Sequence, residues 1–187
     1  MGSAKDKERE AVPLLLDQHR QMADLFRRTL DATGAERRRE FTRLRRLIAA
    51  HETAEEVLVH PRMRWTTADG DAQARARIEE ETEIKTQLAE LEPMDVDSDE
   101  FAAGLAEVRA VTLAHNDAEE LEEFPVLADQ LDAGQRARLR RGLALVEAVA
   151  PTRPHPGLTL GGENVLAGGI TAMVDRVRDL LTHRTAQ

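Results

Sequence analysis

His51 and Glu55, and again His115 and Glu119, stand four residues apart within two similarly worded stretches, His51-Glu-Thr-Ala-Glu55-Glu56-Val-Leu-Val-His60-Pro61 and His115-Asn-Asp-Ala-Glu119-Glu120-Leu-Glu-Glu-Phe124-Pro125. On a helix such a pair leaves one face, one turn apart, so each stretch offers an imidazole nitrogen and a carboxylate oxygen to a common point. The second copy follows the first by 64 positions (115 − 51 and 119 − 55). Two similar halves facing one metal site are the expectation. The chain has no cysteine, which removes thiolate zinc sites, iron–sulfur clusters and a cysteine nucleophile, and no tyrosine, which removes a phenolate ligand. Any metal must be held by imidazole and carboxylate.

Helices must position these donors, and the apolar spacing supplies them. Val12, Leu15, Leu16, His19, Met22, Ala23, Phe26 and Leu30 recur every three or four residues and predict a first helix ending near Gly34. A second runs from about Glu36 to His60, with Phe41, Leu44, Ile48, His51, Glu55 and Leu58 in its stripe. A third spans about Ala72 to Glu92 and carries Glu81 among Ala74, Ile78, Ile84, Leu88 and Leu91. A fourth spans about Ser98 to Leu131 through Phe101, Leu105, Val108, Thr112, His115 and Glu119. Pro61 and Pro125 end or kink helices two and four at matching points.

Four amphipathic helices with short links and no strand pattern predict an all-α, up-down-up-down four-helix bundle with additional C-terminal helices. Its facing seams place six polar residues in the core: His19, His51, Glu55, Glu81, His115 and Glu119. Burying such groups is costly unless they are paired or bind a metal. The duplication extends to the first helix of each half, where Asp17-Gln18-His19 matches Glu79-Glu80-Glu81. Glu81 is thus the positional counterpart of His19. One half contributes His19, His51 and Glu55, and the other Glu81, His115 and Glu119, a set suited to two metals.

On these residues the chain resembles the hemerythrin-like HHE cation-binding family. The family's order of one histidine, HxxxE, a second histidine and another HxxxE is met by His19, His51 with Glu55, and His115 with Glu119, over roughly residues 12–131. The resemblance implies a bundle holding a non-heme diiron centre, with Glu55 and Glu119 bridging and the histidines as terminal ligands. Manganese or zinc stays open, since ligand type alone does not choose among them. The third-helix histidine of the family is Glu81 here. A zinc-protease HExxH helix is excluded because Glu55 stands where histidine is needed, and the ExxH spacing of ferritin-like carboxylate sites is absent from the pattern.

Each residue also has a plainer alternative. The histidines could be satisfied core groups, Glu55 and Glu119 could pair with arginines, and Glu81 could turn to Lys85 one helical turn on. Glu56 and Glu120 lie about 100° round the helix from the ligand stripe and read as solvated or supporting groups. His60 follows His51 by nine residues, about 180° round a regular helix, and reads as a non-ligand unless a kink before Pro61 brings it near a pocket mouth. His155 and His183 read as surface groups.

Composition bounds the rest. At 187 residues and 20.8 kDa, 41% hydrophobic and 33% charged, one well-buried domain is the expectation. Residues 1–133 would form the bundle, and 134–187 a helical extension packed on it. That extension reads as a basic fifth helix from Gln135 to Val149, a stiff Pro151–Gly157 linker, and a last helix presenting Ile170, Met173, Val174, Val177, Leu180 and Leu181. The net charge of −9 argues against nucleic acid as a partner. No run approaches the ~20 apolar residues of a membrane span, and no signal peptide is evident, so a cytoplasmic location without membrane association is expected.

The functional expectation is a protein reacting with a small oxidant: oxygen, hydrogen peroxide or nitric oxide. A carboxylate at Glu81 adds negative charge beside the metals and favours the ferric state, hence redox turnover of oxidase, peroxidase or catalase type over reversible carriage. Two other readings stay open: a sensing or oxygen-binding module without turnover, and a scaffold that has lost its metal.

Overall fold

The computed structural model describes residues 11–65 and 68–149. Its order is α1 (Ala11–Asp31), α2 (Gly34–Leu58), a short α3 (His60–Met63), α4 (Gly70–Leu91), α5 (Asp99–Ala118), a π-helical turn (Glu119–Glu123), α6 (Phe124–Gln130) and α7 (Ala133–Val149). α1, α2, α4 and α5 are the four helices expected, and the described residues form a helical bundle without strands. The linker and last helix read from the sequence after Val149 lie outside the described residues.

At one end two links are tied together. Only Ala32 and Thr33 separate α1 from α2, and Gly34 takes a φ of +55°, a left-handed conformation that costs a side-chain-bearing residue about 1–2 kcal/mol. Its N–H donates to the Asp97 carboxylate, 2.8 Å from Oδ1, in the link between α4 and α5. Arg37 donates to the carbonyls of Ala32, Leu30 and Val96 and so closes both turns. Ser98 caps α5 by accepting from the Phe101 N–H at 3.1 Å.

Two apolar cores occupy opposite ends of the bundle. Met22, Phe26, Phe41, Leu44, Ile48, Ile84, Leu88, Phe101, Leu105 and Val108 pack at the tied end. Leu15, Leu58, Val59, Met63, Phe124 and Leu127 pack at the other, where Leu139, Leu143 and Val146 of α7 join them. α1 and α2 pass from one core to the other through a polar position: His19 lies between Leu15 and Met22, and His51 and Glu55 between Ile48 and Leu58. The polar residues thus form a layer between two dry cores. At roughly 1.5–3 kcal/mol per fully buried large apolar side chain, these cores provide the stability that lets the layer remain dry.

The prolines alter the helices more than a simple stop would. α2 ends at Leu58, not His60, and a separate turn starts at His60 with Pro61 inside it. The predicted fourth helix is broken as well. Pro125 has no N–H to continue an α-helical ladder, and the Phe124 N–H bonds five residues back to Glu119 O, which defines the π turn.

Candidate metal centre

The six residues read from the sequence meet in the layer, and all are buried: His51, Glu55, Glu81 and Glu119 at 0%, His115 at 2% and His19 at 3% exposure. Two overlapping groups form, each with ligand atoms within 4.8 Å of one another: His19, His51, Glu55 and Glu119, and Glu55, Glu81, His115 and Glu119. Glu55 and Glu119 belong to both. Glu119 turns Oε2 toward His19 Nε2 at 3.4 Å and Oε1 toward His115 Nε2 at 3.5 Å. His51 Nε2 lies 3.0 Å from Glu55 Oε2 and 3.0 Å from His19 Nε2.

The outer nitrogen of each ring is held by an acceptor. His19 Nδ1 donates to Glu120 Oε1 at 2.9 Å, His51 Nδ1 to Gln18 Oε1 at 2.8 Å, and His115 Nδ1 to Glu80 Oε2 at 2.9 Å. A carboxylate or amide oxygen can only accept, so Nδ1 carries a proton and Nε2 is the nitrogen directed inward, able to bind a metal once any proton on it is displaced. This is how metal-binding histidines are oriented and made more basic. Gln18 and Glu80 occupy matching positions in the two halves, as do Glu56 and Glu120.

Inside the layer the accounting does not close by protein contacts. Neither oxygen of Glu55 or Glu119, nor His115 Nε2, has a hydrogen-bond partner among the described residues. Buried polar atoms are normally satisfied, and orphaned carboxylates cost several kcal/mol each. A cation among them would supply the missing partner, and the nitrogen and oxygen donors fit a divalent transition metal. The plainer alternatives fare unevenly. The ion pairs of Glu55 and Glu119 are with histidines, with no arginine among the described residues. Glu81 does meet Lys85, its Oε2 3.3 Å from Nζ, yet it stays inside the layer.

The charges are unevenly poised. Burial and the neighbouring Glu55 push the Glu119 carboxyl up to about 8. Burial opposes the charged form of His115, but Glu119 and Glu80 outweigh it and raise the ring to about 10. Burial likewise disfavours ionised Glu81, but His60 and Lys85 hold it down at about 2.

Three residues entered the site against or outside expectation. His60, read as a non-ligand on a continuous helix, is fully buried, because the chain turns at Val59 and re-aims it; its Nε2 lies 2.5 Å from Glu81 Oε1. Glu123, at the end of the π turn, is also buried, with Oε2 3.5 Å from His60 Nδ1. Glu52 sits at 0% exposure with both oxygens lacking a hydrogen-bond partner among the described residues, and burial with the nearby Glu81 raises it to about 8. Glu56, read as solvated or supporting, is buried and pairs with Lys85. The proline after His60 and the match of His60 with Phe124 were the signals for the first; nothing in the pattern pointed to Glu52.

Residues 10–127 match the model of the hemerythrin HHE cation-binding domain. The match covers more than half of the chain, and the protein belongs to this family of helical-bundle, cation-binding domains. No curated protein and no solved structure matches it.

Proposed function

We propose that the protein is a non-heme diiron protein that reacts with a small oxidant (oxygen, hydrogen peroxide or nitric oxide) by redox turnover rather than by reversible carriage. The observation that carries this reading is the pair of overlapping His/Glu groups with Glu55 and Glu119 common to both. In it, His19 and His51 would hold one metal and His115 and Glu81 the other, with Glu55 and Glu119 available to both. Two irons so held supply one-electron steps at a position where a small oxidant binds.

The residues of the chain set the direction of that chemistry. Glu120, Gln18 and Glu80 fix the rings with Nε2 inward. The two apolar cores keep bulk water from the layer, which strengthens each charge inside it. A carboxylate at Glu81, where its counterpart is His19, adds negative charge and favours the more oxidised metal. Lys85 offsets part of that charge, whereas the ion-pair partners of Glu55 and Glu119 among the described residues are imidazoles. Among the described residues no helix is long and apolar enough to cross a membrane, and the acidic net charge of −9 disfavours nucleic acid.

Metal-free protein loaded with ferrous iron under nitrogen and then exposed to oxygen tests the reading. We expect about two irons per chain and an oxidised spectrum that persists after oxygen is removed and returns only with a reductant. A spectrum that reverts on sparging with nitrogen would overturn turnover in favour of carriage or sensing. Tight binding of manganese or zinc with no oxygen reaction would overturn the choice of iron. Glu81→His should raise the reduction potential of the centre; an unchanged potential would remove Glu81 from the ligand set.

A further inference from the structure

We propose that His60 is itself a metal ligand, contributing Nε2 to the cation position built by Glu81, His115, Glu119 and Glu55. The inference rests on the dinuclear reading above and deepens it.

Position 60 in the first half corresponds to 124 in the second (124 − 60 = 64, the offset of the paired motifs). Phe124 packs on His19, ring centroids 5.3 Å apart and 26° from parallel. His60 meets Glu81, the counterpart of His19, at 2.5 Å. The supporting carboxylates follow a similar relation: Glu120 bonds His19, and Glu56 meets Glu81 through Lys85, which donates to both. One half therefore has an imidazole on its first helix beside a phenyl ring, and the other a carboxylate on its first helix beside an imidazole. The nitrogen donor absent from position 81 stands at position 60.

The orientation of the ring agrees. In His19, His51 and His115 the outer Nδ1 faces an acceptor and Nε2 faces the shared carboxylates. His60 has the same sense without the outer hydrogen bond: Nδ1 faces Glu123 at 3.5 Å, and Nε2 faces Glu81, the carboxylate of this half. His60 also has a ligand atom within 4.8 Å of ligand atoms of Glu119 and Glu123. A purely structural reading would make His60 a cation placed to neutralise Glu81 and Glu123. Those carboxylates already have cations, Lys85 at 3.3 Å from Glu81 and Arg77 Nε at 3.3 Å from Glu123. A metal displaces the proton that His60 Nε2 holds toward Glu81, and each metal then has two nitrogen donors: His19 and His51, His60 and His115.

Anaerobic titration of the metal-free full chain with cobalt(II), with metal content measured after desalting, compares wild type, His60→Ala and His60→Gln. Wild type should bind two ions; both variants should keep the first at unchanged affinity and lose the second by more than the ~10–100-fold that loss of an outer hydrogen bond costs. Glutamine retains a donor toward Glu81 but no imidazole nitrogen, so a His60→Gln chain that binds the second ion like wild type would overturn the proposal. Wild type binding fewer than two ions would overturn the dinuclear reading, and this inference with it. Long-range proton–nitrogen spectra of the zinc-loaded wild-type chain need no variant to fold. Four bundle histidines with a metal-bound Nε2 are expected, and His60 retaining its Nε2 proton would overturn the proposal.

Discussion

His115 Nδ1 lies 2.9 Å from Glu80, and the same distance separates His19 Nδ1 from Glu120. The two carboxylates are 38% and 39% exposed, whereas the rings they hold are almost completely buried. Each ring is thus oriented by a group that reaches the surface. Replacing Glu80 or Glu120 by alanine should leave the fold intact and weaken metal affinity by about 10–100-fold, as loss of such a partner does elsewhere. Calorimetric titration checks this; unchanged affinity in both variants would mean the rings are set by packing alone.

In the proposed centre Glu119 would serve the metal at the expense of the metal-free fold. Its oxygens are buried without hydrogen-bond partners among the described residues, so Glu119→Met, similar in volume and apolar, should remove a desolvation cost. We expect the metal-free variant to gain about 1 kcal/mol or more in denaturant unfolding, while metal binding falls to one ion per chain or fewer. A variant less stable than wild type without metal would contradict this account of the layer.

The pH dependence of the metal-free chain follows from the same groups. Glu119 and Glu52, raised from 4.5 to about 8, contribute stability that is whole below pH 4.5 and lost as pH rises through 8. His115, raised from 6.5 to about 10, contributes stability that is whole below pH 6.5 and lost as pH rises through 10. Glu81, lowered to about 2, acts oppositely, its contribution whole above pH 4.5 and lost as pH falls toward 2. The melting temperature without metal should therefore be highest near pH 4.5, where the Glu81 contribution is nearly complete and those of Glu119 and Glu52 begin to decline, and should fall toward pH 9. Since metal displaces these protons, loading at pH 7 should release protons and flatten the alkaline fall. Thermal melts at several pH values with and without zinc decide it, and a metal-free protein more stable at pH 9 than at pH 6 would refute the assignment.

The six-residue layer was legible in the sequence because its spacing obeys regular helix geometry. His51 with Glu55, and His115 with Glu119, lie on uninterrupted α-helix up to the π turn, so their face can be counted. His60 and Glu123 could not be placed that way. The break at Val59 resets the angle before the nine residues from His51 to His60 are complete, and the π turn changes the advance per residue between Glu119 and Glu123. Gln18 and Glu80 were hidden differently: each adjoins a core position and reaches around its helix to a ring on another. Periodicity locates the face of a residue, not the reach of its neighbour.

Arg77 donates to Glu80 and lies within 3.3 Å of Glu123 through Nε, while its Nη2 donates to Glu122. Glu80 holds His115 and Glu123 faces His60, so one guanidinium touches the outer supports of two rings on the Glu81 side. Glu120 and Gln18 hold His19 and His51 on the other side. Variation at this single arginine position would thus act first on the Glu81 side, giving a duplicated architecture a route to two unequal sites.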